Sequence, residues 1–181
     1  MDLVVEDKKE ETKTITPKII MGHVKCDFSE FREMAWDIIH KDVEKLADAS
    51  LGEYGAYHVH EAIKYGKADL FMGYIDKTGK STPEVWQDYF IEFLKKGSEN
   101  YFGYVVTRYD PDSVHIWQAY IKEEYQHTNA MVEGFRFIEN AMKRYSVPYM
   151  TFSSPRAGWG KVCEKLGFSE IYTIYRKKIE R

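Results

Sequence analysis

SVHIWQAYI (113–121) opens the stretch that decides the fold. KEEYQHTNAMVEGFRFIENAMKRYSV (122–147), PYMTFSS (148–154), PRAGWGKVCEKLGF (155–168) and SEIYTIYRKKI (169–179) follow it. In turn these read as strand, long helix, strand, short helix and strand. A strand returning through a long helix to a neighbouring strand requires a parallel, right-handed crossover. The turn that enters the long helix can cradle an anion, because a helix start presents unpaired N–H groups and a partial positive charge.

Toward the N-terminus, Asp110-Pro111-Asp112-Ser113 is turn chemistry, so residues 101–109 and 113–121 are expected to form a hairpin. DLFMGYI (69–75) and KIIMGHV (18–24) read as two further strands. Between them, Asp27 or Ser29 can cap a helix whose apolar stripe is Phe31, Met34, Ala35, Ile38, Ile39, Val43 and Leu46. Val59, Ala62 and Ile63 suggest a short second helix closed by Gly66. KTGKSTP (77–83) is a loop that leads into another helix at about 83–96. Pro83 suits the first helical position, and Gly97 ends the segment. The order is β-α-α-β-(α)-β-β-α-β-α-β, an α/β fold with a mixed, mostly antiparallel central sheet and helices on both faces. No repeat or linker divides the chain, so residues 17–181 are expected as a single domain. Residues 1–16 are expected as a flexible acidic arm, with Asp2, Glu6, Asp7, Glu10 and Glu11 set against Lys8, Lys9 and Lys13.

Composition sets the outer limits. The chain has 181 residues, 44% hydrophobic and 30% charged, and is large enough for a substantial core. Net charge is −3, with no basic stripe, so no nucleic-acid partner is expected. No apolar run reaches the ~20 residues of a membrane span, and the start does not read as a secretory signal. Cys26 and Cys163 alone make no disulfide framework or metal knuckle, which fits a reducing, cytoplasmic compartment. In HVHE (58–61), two histidines two apart on a helix point in different directions, so no metal site is expected there.

The order of elements resembles the GCN5-related N-acetyltransferase superfamily over roughly residues 18–179, with the helix at 83–96 as an insertion. In that family the fourth strand enters a turn of pattern Gln/Arg-x-x-Gly-x-Gly/Ala. Here Gln126 matches the first position, Asn129 stands at the first glycine, and Met131 stands at the second small residue. Downstream, the closing EKLGF (164–168) matches the family in full. Arg156, Trp159 and Cys163 replace the family's Asn, Ala and Tyr. The resemblance implies acetyl-CoA as cofactor. It places backbone groups of about Ala119, Tyr120 and Ile121 on the pantetheine arm, and Gln126, His127, Thr128, Asn129, Ala130 and Met131 around the pyrophosphate. Arg156, like Lys161, could meet a phosphate. Asn129 tolerates left-handed geometry better than most residues, whereas Met131 would crowd an anion at the helix start.

For acyl transfer the resemblance makes Cys163, at the family's tyrosine, the acid toward the leaving thiolate. The other reading is a small buried hydrophobe. His115 is a candidate base because its neutral form is available near pH 7; the alternative is a packed strand histidine. The stripe Trp86, Tyr89, Phe90, Phe93 and Leu94 reads as core, or as a docking face for a protein partner. Two functions follow. One is an acyl-CoA-dependent N-acyltransferase acting on a small-molecule or protein amine. The other is a catalytically inactive structural or virion-associated binding protein. The acidic arm and inserted aromatic helix look like phage-encoded members of the superfamily, which would put the chain in host cytoplasm or a virion.

Overall fold

A computed structural model of the chain describes residues 18–24, 29–50, 54–78, 86–126, 128–153 and 159–170. The expected arm at 1–16 and strand at 169–179, except Ser169 and Glu170, lie outside the described residues. Its strands are β1 (Lys18–Val24), β2 (Asp69–Asp76), β3 (Tyr101–Tyr109), β4 (Ser113–Ile121) and β5 (Tyr149–Phe152). They form one five-stranded sheet in the order β1-β2-β3-β4-β5. The first four are antiparallel neighbours, and β5 lies parallel to β4. The β3–β4 hairpin closes as the turn chemistry requires, with Asp110 N donating to Ser113 O at 2.9 Å.

The helices are α1 (Ser29–Ala49), α2 (Ala56–Lys64), α3 (Trp86–Lys95), α4 (Ala130–Arg144) and α5 (Trp159–Leu166). Strand alternation sends Leu70, Met72 and Tyr74 to one face and Phe71 to the other. The first face carries α1, α2 and α3 through Ala35, Ile39, Val43, Val59, Ile63, Phe90, Phe93 and Leu94. The second carries α4 through Ala130, Phe135, Ile138 and Met142, with Leu166 and Phe168 packed at its margin. Each such side chain, once buried, contributes on the order of 1.5–3 kcal/mol, so both layers are held mainly by apolar packing.

The described part of the apolar face of α3 is core, and the side chains of Trp86 and Tyr89 lie outside the described residues. Phe90, Phe93 and Leu94 are buried, and Phe93 stacks on Tyr74 with centroids 5.0 Å apart. Gly22 makes this possible, since a Cβ there would come within 2.2 Å of the Phe90 ring. Gly66 and Gly97 follow α2 and α3 at φ 66° and 68°, the left-handed conformation that glycine adopts without steric cost. Among the described residues no helix is long and apolar enough to cross a membrane.

Candidate functional site

Two irregularities in β4 build the site. Val106 pairs with Gln118 and Thr107 with Ile116, so Trp117 is an extra residue. Such a bulge bends a strand and re-aims its side chains. Tyr120 and Trp117 pack toward α1, and Gln118 bonds Tyr104 there, whereas Ala119 and Ile121 pack toward α4. The second irregularity is lost pairing. β4 and β5 are matched only from Ser113↔Tyr149 to Ile116↔Phe152, yet β4 runs on to Ile121. The stretch Trp117–Ile121 therefore has no β5 partner among the described residues. On that side the Ile121 carbonyl accepts from the Gln126 side chain, and the other backbone groups of the stretch have no partner strand among the described residues.

Beside this free edge lies a cavity of about 200 Å³, walled by β3 and β4 and by the start of α4. Ala119, Tyr120, Ile121, Gln126, Ala130 and Met131, all expected at the cofactor, meet in its lining. Phe102, Gly103, Phe135 and Met21 complete the apolar part. The connecting turn is held from within. Gln126 Nε2 donates to Ile121 O at 3.2 Å, and Thr128 Oγ1 donates to Tyr125 O at 2.7 Å while accepting from Ala130 N at 3.2 Å. Asn129 precedes α4 at φ −76° and makes no side-chain cap, so this turn does not use left-handed geometry at that position. Met131 packs at the margin of the α4-side core and forms part of the cavity wall, and the cavity stays open beside it. His127 and Arg156, and the side chain of Lys161, lie outside the described residues.

The two residues expected to do acid and base chemistry are elsewhere. His115 sits in the paired part of β4, its Nδ1 3.0 Å from Thr151 Oγ1. Cys163 is a free, half-buried thiol on α5, and burial pushes its pKa up, so it stays protonated. Neither belongs to the described lining of the cavity. His58 and His60 part company on α2. His58 Nδ1 accepts from Gly55 N at 3.0 Å, and His60 stacks on Trp36 at 4.2 Å. Among the described residues no three His, Cys, Asp or Glu gather as a metal site.

One group was not foreseen. On the α1 side of the same strand, Asp42 is buried near Tyr101, Tyr104 and Tyr120. Tyr101 donates its hydroxyl to Asp42 Oδ2 at 3.4 Å, and Tyr120 lies near enough to feel the charge of this carboxylate. Tyr104 donates to Gln118 Oε1 at 2.9 Å and stacks on Tyr120, while Tyr54 meets Trp117 edge-on at 5.3 Å. Burial first, then the Asp42 charge, pushes Tyr120 up to about 12. Burial also holds Tyr101 and Tyr104 well above the usual phenol range. All three are therefore hydroxyl donors at neutral pH. The signal was present in the sequence: Asp42 falls on the apolar stripe of α1, between Ile38, Ile39, Val43 and Leu46. An acid at such a position is buried and needs partners.

A second cavity, of about 630 Å³, lies at the other end of β2. Its polar part is His23 Nε2, 3.2 Å from Asp69 Oδ1, and the Tyr109 hydroxyl, which donates to Asp69 Oδ2 at 2.7 Å. Burial pushes the Asp69 carboxyl up, but the hydrogen bonds from His23 and Tyr109 outweigh it and hold the group below its ordinary value.

No family model and no curated protein sequence matches the chain. Solved structures do. A ribosomal-protein-alanine N-acetyltransferase from Brucella melitensis biovar Abortus 2308 superposes with a TM-score of 0.54 at 8% identity, over 90% of this chain and 100% of that one. An acetyltransferase from Trypanosoma brucei gives 0.55 at 10% identity, over 90% and 100%. A possible acetyltransferase from Clostridium difficile 630 gives 0.53 at 13% identity, over 90% and 99%. Identities this low speak for the fold alone, a mixed α/β fold that this chain shares with these acetyltransferase structures.

Proposed function

We propose that the chain is an acyl-CoA-dependent N-acyltransferase that moves an acetyl group from the coenzyme thioester to an amine. The observation that carries this reading is the free edge of β4 beside the cavity that gathers Ala119–Ile121, Gln126, Ala130 and Met131. These residues fit the group. A narrow apolar cavity with an unpaired strand edge suits a pantetheine arm, whose amides need backbone partners in an apolar wall. The N–H groups at the start of α4 would face the pyrophosphate. Bound there, the coenzyme supplies an activated acyl group. Ala119–Ile121 would hold and orient its arm, and Phe102, Phe135 and Met21 would exclude water.

The size of the cavity refines this reading. At about 200 Å³ it is smaller than the ~300–1,000 Å³ of most small-molecule sites, so it takes the acyl end of the coenzyme and not the whole. Met131 is unbranched and can swing aside for the rest. The test is the melting temperature with and without millimolar acetyl-CoA. A ligand at 100 times its dissociation constant stabilises by about 2.7 kcal/mol, a rise of several degrees for a chain of this size. No rise defeats the reading and leaves a non-catalytic protein on the same fold. Where a rise is seen, His115→Ala and Cys163→Ala decide whether either group takes part in transfer.

A further inference from the structure

We propose that the Asp42 carboxylate and the tyrosines near it on the α1 face seat the ammonium group of the acceptor, a primary amine carried on a flexible apolar stem, and that the Asp42 carboxylate removes its proton. The inference rests on the transferase reading for its chemistry, though not for its binding site. Three features of the structure carry it.

The first is the carboxylate itself. Asp42 is 9% exposed, and among the described residues its only ion pair is with Lys45, whose Nζ lies 3.5 Å from Oδ1 on a side chain that is 69% exposed. A surface lysine held so loosely contributes little and is readily displaced. Its ammonium marks where a better-placed one would sit. The second is an incomplete hydrogen-bond set. Gln118 is 3% exposed, and its Nε2 has no partner among the described residues, while its Oε1 accepts from Tyr104. However the amide is turned, one of its polar atoms is left over in a buried place. Native structures rarely leave such an atom unpaired without a ligand or water to meet it. The third is position. Tyr104 and Tyr120 stand in the wall of the 200 Å³ cavity, and their hydroxyls belong to the Asp42 group. A thioester lying along Ala119–Ile121 would therefore share its strand with Tyr120 and Gln118, at the place where β4 has no β5 partner among the described residues.

The tyrosine rings select the cation. Their faces attract an ammonium and their edges accept an alkyl stem, so a charged amine is preferred to a neutral molecule of the same shape. The step balances. The ammonium gives one proton to Asp42, and the freed nitrogen lone pair attacks the thioester carbonyl carbon and forms the C–N bond. Collapse breaks the C–S bond, the electron pair leaves on sulfur, and the second nitrogen proton ends on the thiolate. Asp42 then returns its proton to water.

The test needs no coenzyme. The full chain is titrated with n-hexylamine hydrochloride and, separately, with n-hexanol, followed by saturation-transfer NMR. Saturable binding of the amine and none of the alcohol is expected. Asp42→Asn should weaken the amine at least about tenfold, since a charge-assisted contact is lost, with Asp42→Glu restoring part of it. Near-UV circular dichroism checks that each variant is folded. Tyr120→Phe, with the carboxylate intact, should weaken binding about threefold and keeps the test decisive if Asp42→Asn does not fold. Equal binding by wild type and Asp42→Asn, or no binding of the amine by wild type, overturns the proposal. The acetyl-CoA melting shift reads the transferase function separately. Asp42-dependent amine binding without that shift keeps the seat and removes the transferase; the shift without amine binding does the reverse.

Discussion

The two faces of the sheet use the same strand for opposite chemistry. Toward α4, β4 presents Ala119 and Ile121 to an apolar wall of Phe102, Phe135 and Met21, with a cavity left between them. Toward α1 it presents Trp117, Gln118 and Tyr120 to a carboxylate and a set of hydroxyls. Regular alternation would have sent Gln118 and Tyr120 to one face and Trp117 to the other. One inserted residue places all three together, and a two-sided site results. The contrast shows how a strand can serve an apolar acyl chain and a charged amine at once. The first is held by exclusion of water, the second by partners for each polar atom.

The sharpest way to break this contrast is Phe135→Ala. Phe135 is buried, walls the cavity and meets Phe152 and Phe168 edge-on at 6.1 and 6.0 Å. If aromatic packing holds the α4 face, its loss costs about 3–5 kcal/mol in chemical denaturation. A cost under about 1 kcal/mol would show that the face is held by something else. Gly103→Ala comes next. A Cβ there would lie 2.3 Å from the Tyr120 backbone oxygen, so β4 must shift at the point where the two faces meet. We expect about 1–3 kcal/mol of destabilisation and loss of the acetyl-CoA melting shift. An intact shift would mean that the strand edge is not where the ligand lies.

Two smaller effects sharpen the picture. Tyr74 is fully buried on the α1 face, yet its hydroxyl has no partner among the described residues and burial holds its pKa far above the usual phenol value. It lies outside the Asp42 network, so Tyr74→Phe should leave stability unchanged or raise it by about 1 kcal/mol. A fall would place the hydroxyl in a bond with water and widen the polar group. Tyr109→Phe bears on the far end of β2, where Asp69 titrates below its ordinary value. A carboxyl whose folded pKa is depressed stabilises the protein above its unfolded pKa, ~3.9, and that contribution is lost as pH falls through the folded value. The variant should be less stable than wild type by about 0.5–1 kcal/mol at pH 7, Tyr109 being half-exposed. The difference should fade below about pH 4. A difference that persists in acid would assign the effect to packing.

Much of the architecture was legible in the residues. β1 at 18–24, the 101–109 and 113–121 hairpin and the parallel return to β5 stand as the patterning indicates, because each rests on local chemistry: β-rich runs, an Asp-Pro-Asp-Ser turn, glycines at helix ends. The insertion at Trp117 was not legible. IWQAYI reads the same with or without a bulge, since a partner strand, not a residue type, defines the extra position. A similar slip at Phe102 puts Tyr101 and Tyr104 on one face, again without a mark in the sequence. Six of the expected cofactor residues converge because turn and helix start are neighbours in sequence. His115 was singled out for its titration range and Cys163 by analogy of position, and neither signal says where a side chain lies relative to the cavity, whose described lining holds neither. Asp42 was readable as an acid on an apolar stripe, but its tyrosine partners come from strands far away in sequence.

The parallel match of only four residue pairs between β4 and β5 has a dynamic consequence. Strands β1 to β4 are joined to one another over six or seven residue pairs, whereas β5 is held to β4 by four and is an edge strand among the described residues. The segment from β5 through α5 is then the part most able to open while the other strands stay closed, and its amides should exchange with deuterium ahead of those in β2 and β3. A ligand lodged at that seam would tie the slow and fast parts together, so that its arrival is felt first in the exchange of Met150, Thr151 and Phe152.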